Sequence, residues 1–573
     1  MNADAVIDLL MSWFVYDERR PMLFTELFFW GFFAVVLVVF SLVHKRLALR
    51  NGFLFLVSLF FYYKTSGFFF TILLFSTLTD YLIGFKIHAE QRTLPKKLWL
   101  ALSITLNLVV LFYFKYAYFF ADSFNVIFGS EWHPINHFAE ISNAWFGTTF
   151  RVDKILLPVG ISFFTFQTMS YAIDVYRGQL KPVKSLTDFG FYVSFFPQLV
   201  AGPIVRAADF IPQIYKPYRL TRYAFGIAVF WIMNGLIKKV LLADYIALNF
   251  IDRVFSNPGS YTGFENLMAL YGYSLQVYAD FSGYTDIAIG VAMLMGFTLP
   301  KNFDSPYKAD NPANFWKRWH ISLSTWLKDY LYIPMGGNRK GSLFTYVSLG
   351  FFLFFVFLLS GSWLFLSIAA LTAAGAIVLG VLFPALRSWY TTNINLMMTM
   401  LLGGLWHGAS WNFVLWGGLN GMGIVLYKIW RKISPWKNGQ LRLKRALGIF
   451  ITFNFISFTR IWFRTGSANT WEEMQADRSI VEEWFTANAM LNRLLTGMDL
   501  SLAPQIIAAF GSVFAVMAFG MIVHWLPSRW KDRYRDWFAT QSLWLQVLLC
   551  VAGIVLVYQV LKADMQPFIY FQF

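Results

Sequence analysis

Long apolar runs separated by short charged segments set the pattern of this chain. A helix that crosses a bilayer needs about 20 mostly apolar residues. Runs of that kind occupy residues 24–43, 67–84, 98–121, 224–249, 265–297, 446–465, 505–526 and 543–561. Shorter or more polar ones lie at 52–63, 155–173, 394–408 and 411–428, and the stretch 343–383 is long enough for two passes split at Ser360-Gly361-Ser362. The pattern predicts an all-α polytopic membrane protein. The first run comes late, behind Asp4, Asp8, Asp17 and Glu18, and therefore reads as a membrane span rather than a cleaved leader.

Charge then orients the runs, because basic loops are retained in the cytoplasm. Residues 44–50 carry Lys45, Arg46 and Arg50 without an acid, and 86–97 carry Lys86, Arg92, Lys96 and Lys97 against Glu90. Residues 428–445 carry Lys428, Arg431, Lys432, Lys437, Arg442, Lys444 and Arg445 without an acid, and 529–536 carry Arg529, Lys531, Arg533 and Arg535 against two acids. These segments face inward. Residues 122–150 have Asp122, Glu131 and Glu140 with no Lys or Arg, and 466–504 have six acids against Arg478 and Arg493, so both face outward. Threading the runs through these constraints gives roughly 14 passes, re-entrant segments included, with both termini outside.

Composition narrows the function classes. Of 573 residues, 57% are hydrophobic and only 14% charged, too few to cover a water-exposed surface. The net charge of +16 is spread over inward loops beside membrane segments, where it favours anionic lipid headgroups and gives no support to a nucleic-acid partner. The single cysteine, Cys550, sits in an apolar run, which excludes a disulfide scaffold, a cysteine metal site and a Cys–His acyl-enzyme. Histidines with HExxH spacing, a P-loop and a GxSxG elbow are all missing from the sequence, so no metal is expected and neither ATP-driven pumping nor a nucleophile-elbow hydrolase has support.

Two polar features remain. Between Lys301 and Gly341, Asn311-Pro312 reads as an N-cap and first helical residue, and a helix is expected through Phe315 to Lys328. Helical spacing sorts it into an aromatic stripe (Phe315, Trp319, Trp326) and a polar stripe (Lys317, His320, Ser324, Lys328), with Pro334 and Gly336-Gly337-Asn338 ending it in a turn. An interfacial amphipathic helix would account for the stripes. A site for a phosphate-bearing donor would also account for the cations and the central histidine. The second feature is His407, in a run otherwise apolar from Leu396 to Gly408 apart from Thr399. An ionisable residue at membrane depth marks a functional site by default, although a hydrogen-bonded core histidine is the plain alternative. Burial disfavours the imidazolium, and a neutral imidazole is what a general base requires. Gly403, Gly404 and Gly408 suggest close helix approach and a narrow slot beside the ring. His44, His88, His133, His137 and His524 read as surface or interface residues.

Four blocks carry a family resemblance: residues 195–206 (FFPQLVAGPIVR), 273–286 (YSLQVYADFSGYTD), 315–339 (FWKRWHISLSTWLKDYLYIPMGGNR) and 403–412 (GGLWHGASWN). They resemble, in order, the signature blocks of membrane-bound O-acyltransferases, especially the bacterial branch that includes the alginate O-acetylation and teichoic-acid D-alanylation membrane proteins. The resemblance covers roughly residues 155–430. It implies a helical shell around a thinned centre, with a cytosolic approach for the acyl donor and an outward funnel for the acceptor. His407 matches the histidine usually assigned catalysis, and His320 matches the other signature histidine. Asn412, Asp286, Lys317, Arg318 and Tyr330 match neighbouring positions. The two histidines are 87 residues apart, a wide gap that an inserted hairpin at 343–383 would explain. The expected organisation is N-terminal helices over 1–150, a catalytic core over 151–430, and C-terminal helices over 431–573 with the outward loop 466–504.

The function so implied is transfer of an acetyl group from a cytosolic thioester toward an extracytoplasmic polysaccharide hydroxyl, directly or through a periplasmic acetyltransferase partner, in the bacterial inner membrane. His407 would act as base, with His320 orienting the donor or assisting as an acid. Trp406 or Asn412 would donate hydrogen bonds. Lys317, Arg318 and Lys328 would hold the phosphates of acetyl-CoA or of a phosphopantetheine carrier, so the donor is a substrate and no bound cofactor is expected. A D-alanyl transferase fed by a carrier-protein thioester keeps the site and changes the donor. A secondary transporter or flippase would explain the helices without chemistry, and would require inverted repeats with broken helices.

Overall fold

In the computed structural model, residues 14–17, 21–146, 151–200, 202–339, 341–360, 362–434, 442–467 and 480–560 are described. Regular structure among them is helical throughout. Several apolar runs become helices near their expected limits, including Leu27–Val43, Leu47–Ser66, Phe70–Ala89, Ile161–Tyr176, Trp411–Ile433 and Leu543–Val560, whereas the runs 98–121 and 224–249 are interrupted by π turns at Phe112–Tyr116 and Ile237–Asp244, after the helices Thr93–Leu111 and Arg222–Leu236. The stretch expected to hold two passes forms two helices, Leu343–Ser360 and Trp363–Leu382. Both expected chain ends lie outside the described residues.

Among the described residues, four helical stretches are individually long and apolar enough to cross a membrane: Leu47–Ala89, Thr93–Phe128, Arg222–Ser256 and Arg442–Thr465. A fifth is reached if Ala503–Ala509 and Gly511–Trp525, bent by 90°, count as one span. Helix length and composition thus do not by themselves fix the number of passes at roughly 14.

The core is organised on one long helix, Gly263–Leu294, whose start is sealed by a capping box between Thr262 and Glu265. Most of its residues are buried. It crosses Arg222–Leu236 at small residues: a Cβ on Gly283 would lie 2.7 Å from the Gly235 carbonyl oxygen, and one on Gly290 would lie 2.5 Å from that of Ala228. Only backbone-to-backbone contact fits there, the packing that small residues permit between apolar helices. The same device joins Pro384–His407 to Trp411–Ile433, where a Cβ on Gly404 would meet the Phe413 carbonyl at 2.3 Å. The close approach expected at Gly404 is therefore present. The expected slot is not, because the Phe413 ring lies against Gly408 and the Leu327 side chain against Gly403.

The segment 301–341 departs most from expectation. Asn311 caps the first turn as expected, accepting a hydrogen bond from the Asn314 amide at 2.8 Å. The helix then stops at Trp316 and a second one runs over Ile321–Leu327, with a π turn at Lys328–Tyr332. His320 stands between them in left-handed conformation, φ 44° and ψ 56°. The extended chain at 302–304 takes over the backbone groups released by the break: Ile321 and Ser322 amides donate to the Asn302 carbonyl and side-chain oxygens, and the Asp304 amide donates to the Arg318 carbonyl. The two stripes consequently do not form. Phe315, Trp319 and Trp326 are buried in the core, not lying in a headgroup layer, and His320 is buried while Lys317 and Lys328 are exposed. His524 is a second correction. It is buried, accepts a hydrogen bond from the Tyr307 amide at 3.2 Å and packs edge-on against Tyr278, because the bent pair Ala503–Trp525 ends against the loop at 305–307.

Candidate active site

The break at His320 and the end of the Pro384–His407 helix meet. The His320 and His407 rings are 6.3 Å apart between centroids, tilted by 67°, and only 0% and 2% exposed. Aromatic side chains enclose them. Phe281, from the long central helix, stands edge-on to His320 at 4.6 Å. Trp406 touches both rings, at 5.9 and 5.0 Å. Trp416 and Phe463 close the His407 side, at 5.0 and 5.5 Å. Burial pushes the His320 imidazole down to about 3, so it is neutral near pH 7. A neutral imidazole keeps one unprotonated ring nitrogen as a hydrogen-bond acceptor, and charge that develops in so buried a place is felt strongly because little solvent screens it.

The backbone at His320 explains how one residue escapes the helical register. A non-glycine residue in left-handed conformation is disfavoured by roughly 1–2 kcal/mol and persists only where its surroundings over-determine it. Here Asn302 holds both following amides, which turns the histidine out of the helix and toward His407.

The remaining expected residues divide. Asn412 lies just beyond the His407 helix, is fully buried, and donates to the Thr465 hydroxyl at 3.0 Å. Its own amide is capped by Ser410. Tyr330 donates to both oxygens of the buried Asp174 carboxylate at 2.9 Å, with the Arg177 and Arg206 guanidinium groups over its ring. It braces the segment after His320 against the helix Ile161–Tyr176. Ser324 donates to the Trp319 carbonyl, which stabilises the turn itself. Arg318 is held by Asp304 and Asn314. Lys328 sits 3.4 Å from Asp329 with 58% of its side chain exposed. Asp286 does not join the histidines: it pairs with Lys238 and Asn234, each at 2.6 Å, and ties the central helix to its neighbour. Three of the ten expected residues, His320, His407 and Trp406, therefore form the chamber. Among the described residues there is no group of acids, cysteines or histidines able to hold a metal.

Sequence reasoning missed several charged residues inside apolar runs. Arg460, buried in Arg442–Thr465, donates to the Tyr307 hydroxyl at 3.2 Å and lies 4.5 Å above the Trp319 ring. Arg464 pairs with Asp252. Lys115 reaches the end of the His407 helix. The signal was available, since a cation within a spanning run is costly and marks a functional or buttressing position.

Residues 100–394 fit the membrane-bound O-acyltransferase family model, and the chain belongs to that family. It is accordingly a membrane protein and an O-acyltransferase. The matched residues include His320 and stop short of His407. Similarity to individual relatives extends further. The chain is 33% identical over 567 residues to the probable alginate O-acetylase AlgI of Pseudomonas putida, covering 96% of this chain and 99% of that one. It is also 33% identical over 439 residues to the peptidoglycan O-acetyltransferase of Helicobacter pylori, covering 71% and 70%. The teichoic acid D-alanyltransferase of Bacillus subtilis is more distant, at 27% over 308 residues, covering 52% and 67%.

Proposed function

We propose that this enzyme moves an acetyl group from a cytosolic thioester, acetyl-CoA or an acyl-carrier phosphopantetheine, to a polysaccharide hydroxyl on the outer side of the bacterial inner membrane, directly or through a periplasmic acetyltransferase partner. The observation that carries this reading is the pair of buried imidazoles 6.3 Å apart in an aromatic chamber. The names of the two relatives at 33% identity, both O-acetylating enzymes, support an acetyl group and a polysaccharide acceptor.

In this scheme His407 removes the proton of the acceptor hydroxyl. The oxygen attacks the thioester carbonyl carbon, the C–S bond breaks, and the departing thiolate takes up a proton from the imidazolium. Neutral His320 orients the thioester or assists in returning that proton. The aromatic walls keep water away from the acyl group, so hydrolysis does not compete. Lys317, Arg318 and Lys328, on the cytosolic rim, meet the donor's phosphates.

The test is to purify His407→Ala and His320→Ala variants, confirm their folded state, and measure acetyl content of the cell's exopolysaccharide together with label transfer from [14C]acetyl-CoA in membranes. Loss of transfer in a folded His407→Ala variant is expected, and full activity would reject the base assignment. Label arriving from a D-alanyl carrier but not from acetyl-CoA would replace the donor while keeping the site.

A further inference from the structure

We infer that Lys115, with its neighbour Tyr116, is a positioning residue for His407, holding the end of the helix that carries the imidazole. The inference rests on the role proposed above for His407. It starts from the way that helix stops. The last carbonyls of any α-helix lack partners within the helix, and a buried end must satisfy them otherwise. The common solution is a glycine in left-handed conformation just past the end, whose amide and the next one fold back onto those carbonyls. Gly408 occupies that position but is extended instead, with φ −163° and ψ 154°. The helix therefore ends without the usual glycine cap.

The donors come from a different helix. The Tyr116 hydroxyl donates to the Leu405 carbonyl at 3.0 Å. The Lys115 ammonium donates to the Trp406 carbonyl at 2.7 Å and reaches that of His407 at 3.3 Å. Three successive carbonyls, the last one that of His407 itself, are thus held by two adjacent side chains. A cation at this end also meets the negative pole of the helix dipole. Lys115 further contacts the Ser162 hydroxyl at 3.4 Å, at the start of Ile161–Tyr176, and lies 5.8 Å from the Trp406 ring. It therefore joins three elements at the wall of the chamber.

The local backbone is built for this. Lys115 and Tyr116 close a π turn, Phe112–Tyr116, set between Thr93–Leu111 and Ala117–Phe128. Such widened turns are rare and occur mostly at functional places. A lysine in an apolar spanning run is expensive, and simple helix termination does not need one, since a left-handed glycine does it in the backbone alone. What the lysine adds is an anchor outside the His407 helix that sets where its final residue stands. Placement of a catalytic group matters at that scale, since an error of about 1 Å can lower a rate by as much as ~100-fold.

The experiment uses membrane vesicles from the producing strain, [14C]acetyl-CoA as donor and the strain's base-deacetylated polysaccharide as acceptor, with rates expressed per amount of folded chain by size exclusion. Lys115→Met is expected to lower Vmax about ten-fold or more with the KM for acetyl-CoA within about two-fold, and Lys115→Arg to restore most of the rate. A purely structural lysine would change the yield of folded chain and leave the rate per folded molecule intact. Folded Lys115→Met with wild-type Vmax overturns the inference, as does Lys115→Arg no better than Lys115→Met. If Lys115→Met does not accumulate folded, Tyr116→Phe deletes a single donor: Vmax about three-fold lower at unchanged KM supports the inference, and unchanged Vmax overturns it. His407→Ala is run alongside, and its full activity would reject the underlying assignment whatever the lysine variants do.

Discussion

His407 and His320 reach the same chamber by opposite local routes. His407 is the last residue of a continuous 24-residue helix, placed by that helix's packing and by donors at its end. His320 lies at a break between helices of five and seven residues and is held in left-handed conformation by hydrogen bonds from residues that follow it to Asn302. One histidine is positioned by regular structure and the other by its interruption. Periodicity therefore predicts the helix that carries the first and misses the break that places the second.

The largest effect that would break this comparison is chemical. If the two rings shared one role, either could substitute for the other. Instead, His407→Ala is expected to lower acetyl transfer by about 10²–10⁴-fold, the usual contribution of a general base, and His320→Ala by less. Labelled-acetate transfer per folded chain measures both, and equal losses would erase the distinction.

A second experiment separates the backbones. At His320 a glycine escapes the left-handed strain that alanine must bear, so His320→Gly is expected to be more stable than His320→Ala by roughly 1 kcal/mol. At His407, the last helical residue, the order reverses, with alanine ahead by at most about 0.5 kcal/mol. Thermal melting of the four purified variants in detergent reads the sign at each site.

Next in size is the brace behind His320. Asn302→Ala removes the acceptor for the buried Ser322 amide, and a melting curve is expected to show a loss of roughly 1–3 kcal/mol, with a matching fall in activity.

The smallest effect concerns the rim. Lys328 is mostly exposed and pairs loosely with Asp329, so Lys328→Ala is expected to change stability by less than about 0.5 kcal/mol. Its effect should appear as a raised KM for acetyl-CoA at unchanged kcat, and to weaken as salt is added. A lowered kcat would move Lys328 from the donor's path into the chamber.

Much of the site was legible before the fold. Four ordered blocks and two histidines in unusual settings identified the family and singled out His320 and His407. Lys317 and Lys328, proposed to meet the donor's phosphates, were by contrast placed on a helical stripe that the break at Trp316–Ile321 abolishes. Asp286 shares a block with residues near the site, yet it pairs with Lys238 instead, since sequence proximity carries no information about which face of a long buried helix looks toward the chamber. The aromatic walls Phe281, Trp416 and Phe463 were illegible for a plainer reason: in a chain that is 20% aromatic, no single ring stands out.

The sequence alone determined that the chain is helical and membrane-borne, because apolar length and the uneven distribution of basic residues are local quantities that no folding can alter. It also singled out His320 and His407 as the candidate imidazoles, His407 because a titratable group in an apolar run is costly wherever it ends up. Only the tertiary structure decided that the two rings meet, and which partners fix them. Those facts depend on contacts between residues far apart in the chain: Asn302 replacing a helical turn at His320, and Lys115 and Tyr116 supplying the cap that Gly408 does not.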